Sequence, residues 1–256
     1  MSKTTRQVAW ITGGGSGIGR ALALRLARAG WSVAVSGRRL EALEETARLA
    51  AGGVRVYPVD VGVATAMRDA AARIEAALGP IELAVLNAGI GQLVKLDSFE
   101  PEIFAAHMRT NYLGAVNGIA AVLPAFRARR HGHIVIVASL AGYRGVPLAA
   151  AYGPTKAALI NLAESLKLSL EREGIAISVC NPGFVDTPMI EGNRFPMPFL
   201  MNAESAAERL YRGILKRKFE IAFPTRLVLL LKVIHCLPYG LYFSLMRRHR
   251  RRRSKP

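Results

Sequence analysis

Short apolar runs alternate with longer amphipathic stretches from the beginning of the chain. Gln7–Thr12, Trp31–Ser36, Val54–Val59, Ile81–Leu86, Ile134–Ala138 and Ile175–Cys180 are five or six residues long and mostly apolar. Between the first four lie Arg20–Ala29, Leu40–Ala51 and Ala64–Leu78, where Ala and Leu recur at helical spacing with charged residues between them. Alternation of this kind predicts βαβ units and a parallel sheet with helices on both faces. Continuous rather than alternating apolar strands fit a sheet covered on both sides. Further on, Ala203–Lys216 has the pattern of an amphipathic helix. Arg226–Met246 is then almost wholly apolar, interrupted by Lys232 and Pro238. The pattern divides the chain into an α/β domain over 1–225 and an apolar, basic helical extension over 226–256.

Composition sharpens this picture in two places. Hydrophobic residues make up 51% and charged residues 21% of the 256 positions, a globular balance that excludes a disordered chain. The formal charge of +17 is unevenly placed: Arg247, Arg248, Arg250, Arg251, Arg252, Arg253 and Lys255 all lie in the last ten residues. Like charges so concentrated form a solvated or interacting arm, for which anionic lipid and nucleic acid are the candidate partners. The two cysteines, Cys180 and Cys236, show no CxxC spacing. That excludes a disulfide framework or cysteine-rich zinc site, predicts no metal, and fits a reducing compartment. Met1–Gln7 has no apolar stretch of the secretory kind, so a cytoplasmic location is expected.

The first candidate chemistry is the turn Thr12-Gly13-Gly14-Gly15-Ser16-Gly17-Ile18-Gly19, placed between the first strand and the first helix. A pyrophosphate needs close backbone approach and free N–H groups at a helix N-terminus, and glycine permits both. Gly13 suits the tight turn, Gly17 the approach of phosphate, and Gly19 the packing of helix on strand. A merely flexible turn is the bland alternative, and position in the first βαβ unit argues against it. The expected architecture is therefore a Rossmann-type doubly wound sheet in a single domain.

Tyr152 is followed by Lys156 four residues later, so on a helix the two share one face. A free tyrosine titrates at about 10, too high for proton transfer at neutral pH, and a neighbouring ammonium would lower it. Alone, such a pair is a common surface feature. Ser139 ends the Ile134–Ala138 run, thirteen residues before Tyr152, where a hydroxyl would open into the ligand crevice of a doubly wound sheet.

The glycine turn is TGxxxGIG rather than GxGxxG, and with Tyr152-Gly153-Pro154-Thr155-Lys156 it resembles the short-chain dehydrogenase/reductase family. The resemblance covers about residues 5–190. It implies an alcohol–carbonyl oxidoreductase in which Tyr152 exchanges the proton and Lys156 holds the nicotinamide ribose. Ser139 would position the substrate oxygen, and Asn111, in Thr110-Asn111-Tyr112-Leu113-Gly114, would join a water-linked proton relay. By the same resemblance Thr12, Gly13, Gly15, Ser16, Gly17, Ile18 and Gly19 hold the pyrophosphate, and Asp60 and Val61 meet the adenine. Asn87, Ala88 and Gly89 line the adenosine side, and Asn181 with Pro182, Gly183, Val185 and Thr187 lies along the nicotinamide. The family's usual paired asparagine is reduced here, with Leu86 in the first place. Homodimers or homotetramers are also implied.

At the end of the second strand, where an NAD enzyme carries an acid for the ribose 2′-OH, the chain reads Val35-Ser36-Gly37-Arg38-Arg39. Gly37 aligns with that acid. The guanidinium groups of Arg38 and Arg39 suit a 2′-phosphate, with Ser36 as a further hydroxyl contact, so NADP(H) is expected over NAD(H). Pro188, Pro196 and Pro198 with Met189, Phe195, Met197, Phe199 and Leu200 mark a substrate loop over about 186–202 and an apolar or lipid-like substrate. For Arg226–Met246, two short helices broken near Pro238 and lying on a cytoplasmic membrane face fit better than a spanning helix. Packing against the domain or a partner subunit is the alternative. Nucleic acid is the weaker partner, since no binding motif accompanies the charge. The competing functions are a catalytically idle cofactor-binding scaffold and a membrane-tethered protein acting through its C-terminal segment.

Overall fold

The computed structural model describes residues 6–191 and 196–253, without the side chains of residues 98 and 248–253. Seven strands form one parallel sheet in the order β3-β2-β1-β4-β5-β6-β7. They are β1 (Val8–Thr12), β2 (Ser32–Ser36), β3 (Val54–Val56), β4 (Ile81–Leu86), β5 (Gly132–Val137), β6 (Ile175–Pro182) and β7 (Glu220–Phe223). The helices are α1 (Gly17–Arg28), α2 (Leu40–Leu49), α3 (Ala64–Leu78), α4 (Pro101–His107), α5 (Gly114–Arg129), α6 (Tyr152–Arg172), α7 (Ala203–Leu215), α8 (Thr225–His235) and α9 (Tyr239–Arg253). A π-helical segment, Met108–Leu113, joins α4 to α5.

Alternate strand residues feed two separate cores. Trp10, Ala84, Ile134 and Ile177 face α3, α5 and α6, meeting Met67, Ile74, Phe126 and Leu159. Ile11, Val35, Val85 and Val135 face the other way, onto Leu22 and Leu26 of α1 and Leu210 and Ile214 of α7. This two-sided burial is the doubly wound arrangement that the continuous apolar strands predict. The strand order reverses between β1 and β4, and a crevice opens there at the carboxyl ends of the strands.

The differences from the pattern-based boundaries have local causes. The third strand ends at Val56, because Pro58 has no N–H for the ladder. Pairing nevertheless resumes, with Val59 N donating to Gly37 O at 3.0 Å. Helix α1 begins at Gly17, three residues before Arg20, as the glycine turn itself enters helical geometry. Edge strand β7 is only four residues long, too short for the hydrophobic pattern of Arg217–Pro224 to distinguish it from a turn. Beyond it, α8 and α9 are two helices flanking Pro238, as the extension predicts.

Candidate active site

The crevice between the ends of β1 and β4 is a cleft of about 370 Å³. Its floor begins with the glycine turn. Gly13 (φ +67°) lies so close to the β4 end that a Cβ there would sit 2.8 Å from Ala88 Cα. At Gly19 a Cβ would fall 2.3 Å from Gly13 O, so the turn closes on itself only without side chains. The turn is pinned from outside by Arg20, which donates to Gly15 O at 2.6 Å, and by the Thr46 hydroxyl, which donates to Gly14 O at 3.0 Å. Neither pinning residue carries a motif that would reveal it in the sequence.

The N-terminus of α1 opens on the same cleft. Ser16, at its N-cap, makes no side-chain cap, and the first turn contains no acid. The leading N–H groups of α1 are therefore left for an external acceptor, and the helix dipole favours an anion. This cradle fits a pyrophosphate. Arg38 and Arg39 line the cleft beyond it, both exposed, with Arg39 donating to Ser16 Oγ at 3.3 Å. Ser36 does not join them: it is fully buried and accepts the Trp10 indole N–H at 2.9 Å, so its expected ligand contact is withdrawn.

Gly15, Ser16, Gly17, Ile18, Asp60, Val61, Asn87, Ala88, Gly89, Pro182, Gly183, Val185 and Thr187 all border the cleft together with Gly13. Four other sequence candidates stand one layer behind, among them Asn181, which is 1% exposed and donates to Glu220 Oε1 at 3.1 Å rather than facing the cleft. The Thr12 hydroxyl accepts from Asn87 N at 3.0 Å and Ala88 N at 3.1 Å, tying the turn after β1 to that after β4. Gly19 packs beneath the turn. Asn111 is 1% exposed and lies in the π-helical segment, a widened turn often found at functional sites. Its amide donates to Ile90 O and to Thr155 Oγ1, each at 3.0 Å, while its carbonyl accepts from Ile90 N at 2.8 Å.

Ser139, Tyr152 and Lys156 meet on one wall of the cleft. Ser139 follows β5, and its hydroxyl accepts from Ala141 N at 3.1 Å. Tyr152 opens α6, and Lys156 stands one turn on with its ammonium 5.5 Å from the Tyr152 ring centroid. Lys156 is 3% exposed and donates to Val137 O at 2.8 Å. Burial pushes its pKa down to about 8, opposed by the nearby Cys180. Burial likewise raises the Tyr152 phenol, and only the hydrogen bond with Ser139 works against that. The expected lowering of Tyr152 by Lys156 is thus overridden: the ammonium is turned to a backbone carbonyl, and desolvation dominates.

Apolar side chains close the substrate end. Pro188, Met189 and Ile190 line the cleft, and a Cβ on Gly91 would touch Met189 Cγ at 3.2 Å and Tyr152 Cδ2 at 3.6 Å. Met197 and Leu200 line an adjoining hollow with Ile190. Phe195, also expected in this loop, lies outside the described residues. Among the described residues there is no cluster of His, Cys, Asp or Glu able to hold a metal ion.

Comparison with known proteins agrees with this geometry. The family model of the short chain dehydrogenases matches residues 7–195. An uncharacterized oxidoreductase of Myxococcus xanthus is 38% identical over 98% of this chain and 100% of its own length. A short chain dehydrogenase/reductase from Burkholderia phymatum, solved in complex with NAD, superposes with a TM-score of 0.82 at 25% identity, covering 92% of this chain and 95% of its own. The alcohol dehydrogenase of Thermococcus sibiricus, complexed with 5-hydroxy-NADP, superposes at 0.75 with 26% identity over 85% and 96% of the two chains. The chain belongs to the short-chain dehydrogenase family, and it is an oxidoreductase of that type.

Proposed function

We propose that this protein is an NADP(H)-dependent oxidoreductase that interconverts an alcohol and a carbonyl on an apolar or lipid-like substrate. The observation that carries the reading is the shared cleft: a phosphate cradle with two exposed arginines at one end, and Ser139, Tyr152 and Lys156 beside apolar Met189 and Ile190 at the other. Gly13, Gly15, Ser16, Gly17 and Ile18 would hold the pyrophosphate, with Thr12 and Gly19 shaping the turn. Arg38 and Arg39 would bind the 2′-phosphate, because guanidinium groups present paired donors to phosphate oxygens. With no acid at Gly37, nothing there would repel that charge. Asp60, Val61, Asn87, Ala88 and Gly89 would line the adenosine side, and Pro182, Gly183, Val185 and Thr187 the nicotinamide side.

When bound, the nicotinamide supplies or accepts the hydride. Tyr152 donates a proton to the carbonyl oxygen or takes it from the alcohol, as a positioned acid–base group. Ser139 holds the same oxygen beside the phenol. Lys156 supplies positive charge beneath Tyr152 and a donor to the cofactor ribose. Asn111 fixes the Ile90 backbone and the first turn of α6 through Thr155, so it sets where Tyr152 and Lys156 stand. The same proposal places the protein on the cytoplasmic side, as a homodimer or homotetramer, with an anionic membrane surface as a partner for residues 226–256.

The test is NADPH oxidation by the purified full chain with a ladder of ketones of increasing chain length. Rates should rise with chain length and depend on Tyr152. Cofactor binding without reduction of any ketone, combined with no oxidation of the matching alcohols by NADP⁺, would favour the idle scaffold.

A further inference from the structure

Helix α8 carries apolar side chains on two opposite sides. Leu227 and Val228 turn inward, with Leu231, against Leu140, Tyr143 and Phe184. On the opposite side Leu229, Leu230 and Val233 are 52–65% exposed. On α9, Tyr239, Leu241, Phe243 and Leu245 are exposed as well. A two-sided apolar helix is ordinarily covered on both sides. The charge of the segment says by what. Residues 221–256 contain no Asp or Glu, against nine cationic residues: Arg226, Lys232, Arg247, Arg248, Arg250, Arg251, Arg252, Arg253 and Lys255. Lys232 is paired with Glu220 of its own chain, and a second copy on this face would set the other eight cationic residues of each segment against one another, with no acid within 221–256 to compensate them. Among the described residues no helix is long and apolar enough to cross a membrane.

We infer that the outer face of α8 and α9 lies in the surface of an anionic bilayer, apolar side chains inserted and cationic ones on the headgroups. This deepens the membrane contact proposed above, rests on that reading, and ties it to the substrate. The seat is built into the wall of the cleft: a Cβ on Gly183 would stand 3.0 Å from Leu227 Cδ2. Arg144, five residues after Ser139, donates to the carbonyls of Ile234, His235 and Leu237 at 2.7–2.8 Å and lies 4.1 Å over the Tyr242 ring. His235 Nδ1 meets Tyr143 O at 2.5 Å, and the Tyr242 hydroxyl donates to Gly145 O. Docking there would hold the Ser139–Tyr152 segment, and the substrate end it borders, at a fixed position against the lipid. An apolar substrate could then reach the cleft from the bilayer.

Vesicle flotation of the full chain tests this, using phosphatidylcholine alone and phosphatidylcholine mixed with phosphatidylglycerol. Wild type should float with the mixed vesicles and not with the neutral ones. Leu229→Glu/Leu230→Glu/Val233→Glu should reduce the floated fraction at least about tenfold, because it places carboxylates where the face inserts. Leu241→Glu/Phe243→Glu is the second variant, and NADPH binding by each shows that it is folded. Undiminished flotation of both variants would overturn the inference, since the basic tail alone would then suffice. So would a wild type that ignores both vesicles, or a wild-type oligomer that either variant splits. Flotation that follows the inference in a protein unable to bind NADPH would instead overturn the NADP(H) reading and leave the membrane contact standing.

Discussion

The turn after β1 and the helical pair α8–α9 are both unusual stretches of sequence, yet they differ in how they determine structure. In the glycine turn the backbone itself is the constraint. Gly13 has φ +67°, and a Cβ on Gly19 would overlap Gly13 O at 2.3 Å, so only one residue type fits. On the outer face of α8 nearly any apolar residue would fit, because Leu229, Leu230 and Val233 are more than half exposed, whereas the inner face packs on Leu140 and Phe184. A site made from backbone geometry therefore announces its ligand. A surface made from interchangeable side chains announces only that it wants to be covered.

The largest effect expected is at the chemical end of the cleft. Tyr152→Phe should lower kcat by about 10²–10⁴-fold, the usual contribution of a positioned acid–base group. NADPH affinity should stay within a few-fold of wild type, measured by fluorescence titration. A variant that keeps the wild-type rate would remove Tyr152 from the mechanism.

The two faces of α8 can be separated by stability. Leu227→Ala opens a cavity against Leu140 and should cost about 2–5 kcal/mol in urea unfolding. Leu229→Ala, two residues away, should change it by no more than about 0.5 kcal/mol. Equal losses would mean that the outer face is already packed.

Arg144→Ala leaves three carbonyls at the end of α8 without their donor. The expected loss is about 1–2 kcal/mol, since solvent can replace part of the bonding. The same variant should raise KM for the apolar substrate while leaving NADPH affinity unchanged. A weakened NADPH site would show instead that the brace supports the whole cleft.

The smallest effect is a displacement along pH. Burial holds the Lys156 pKa down to about 8, so its ammonium predominates below that value and is lost as pH rises through it. Carbonyl reduction should therefore decline on the alkaline side of about 8, read as kcat/KM. Lys156→Arg keeps the charge, because guanidinium does not titrate in this range. If the variant is active, its alkaline decline should move upward. An unchanged limb would assign it to another group.

The sheet was legible because its strands are uninterrupted apolar runs, and the cleft because its residues fall at the ends of those runs. Ser139 and Tyr152 lie thirteen apart in sequence but meet on one wall once β5 and α6 are placed. What escaped was what depends on side-chain direction. Ser36 reads as a ligand contact in a linear alignment, yet it points into the core to take the Trp10 N–H. Arg20, Thr46 and Arg144 hold backbone carbonyls, a role that any exposed polar residue could have in sequence. The pKa of Tyr152 could not be read either, since spacing predicts the nearness of Lys156 but not the desolvation of both groups.

The most direct test of the account is a parallel titration of the purified protein with NADPH and NADH, for wild type and for Arg38→Ala/Arg39→Ala, followed by nicotinamide fluorescence. The account predicts tighter binding of NADPH than NADH by wild type, and a double variant whose NADPH affinity falls to the NADH level with NADH unaffected. Tighter binding of NADH, or a double variant that keeps the NADPH preference, would contradict the assignment of the arginines to the 2′-phosphate.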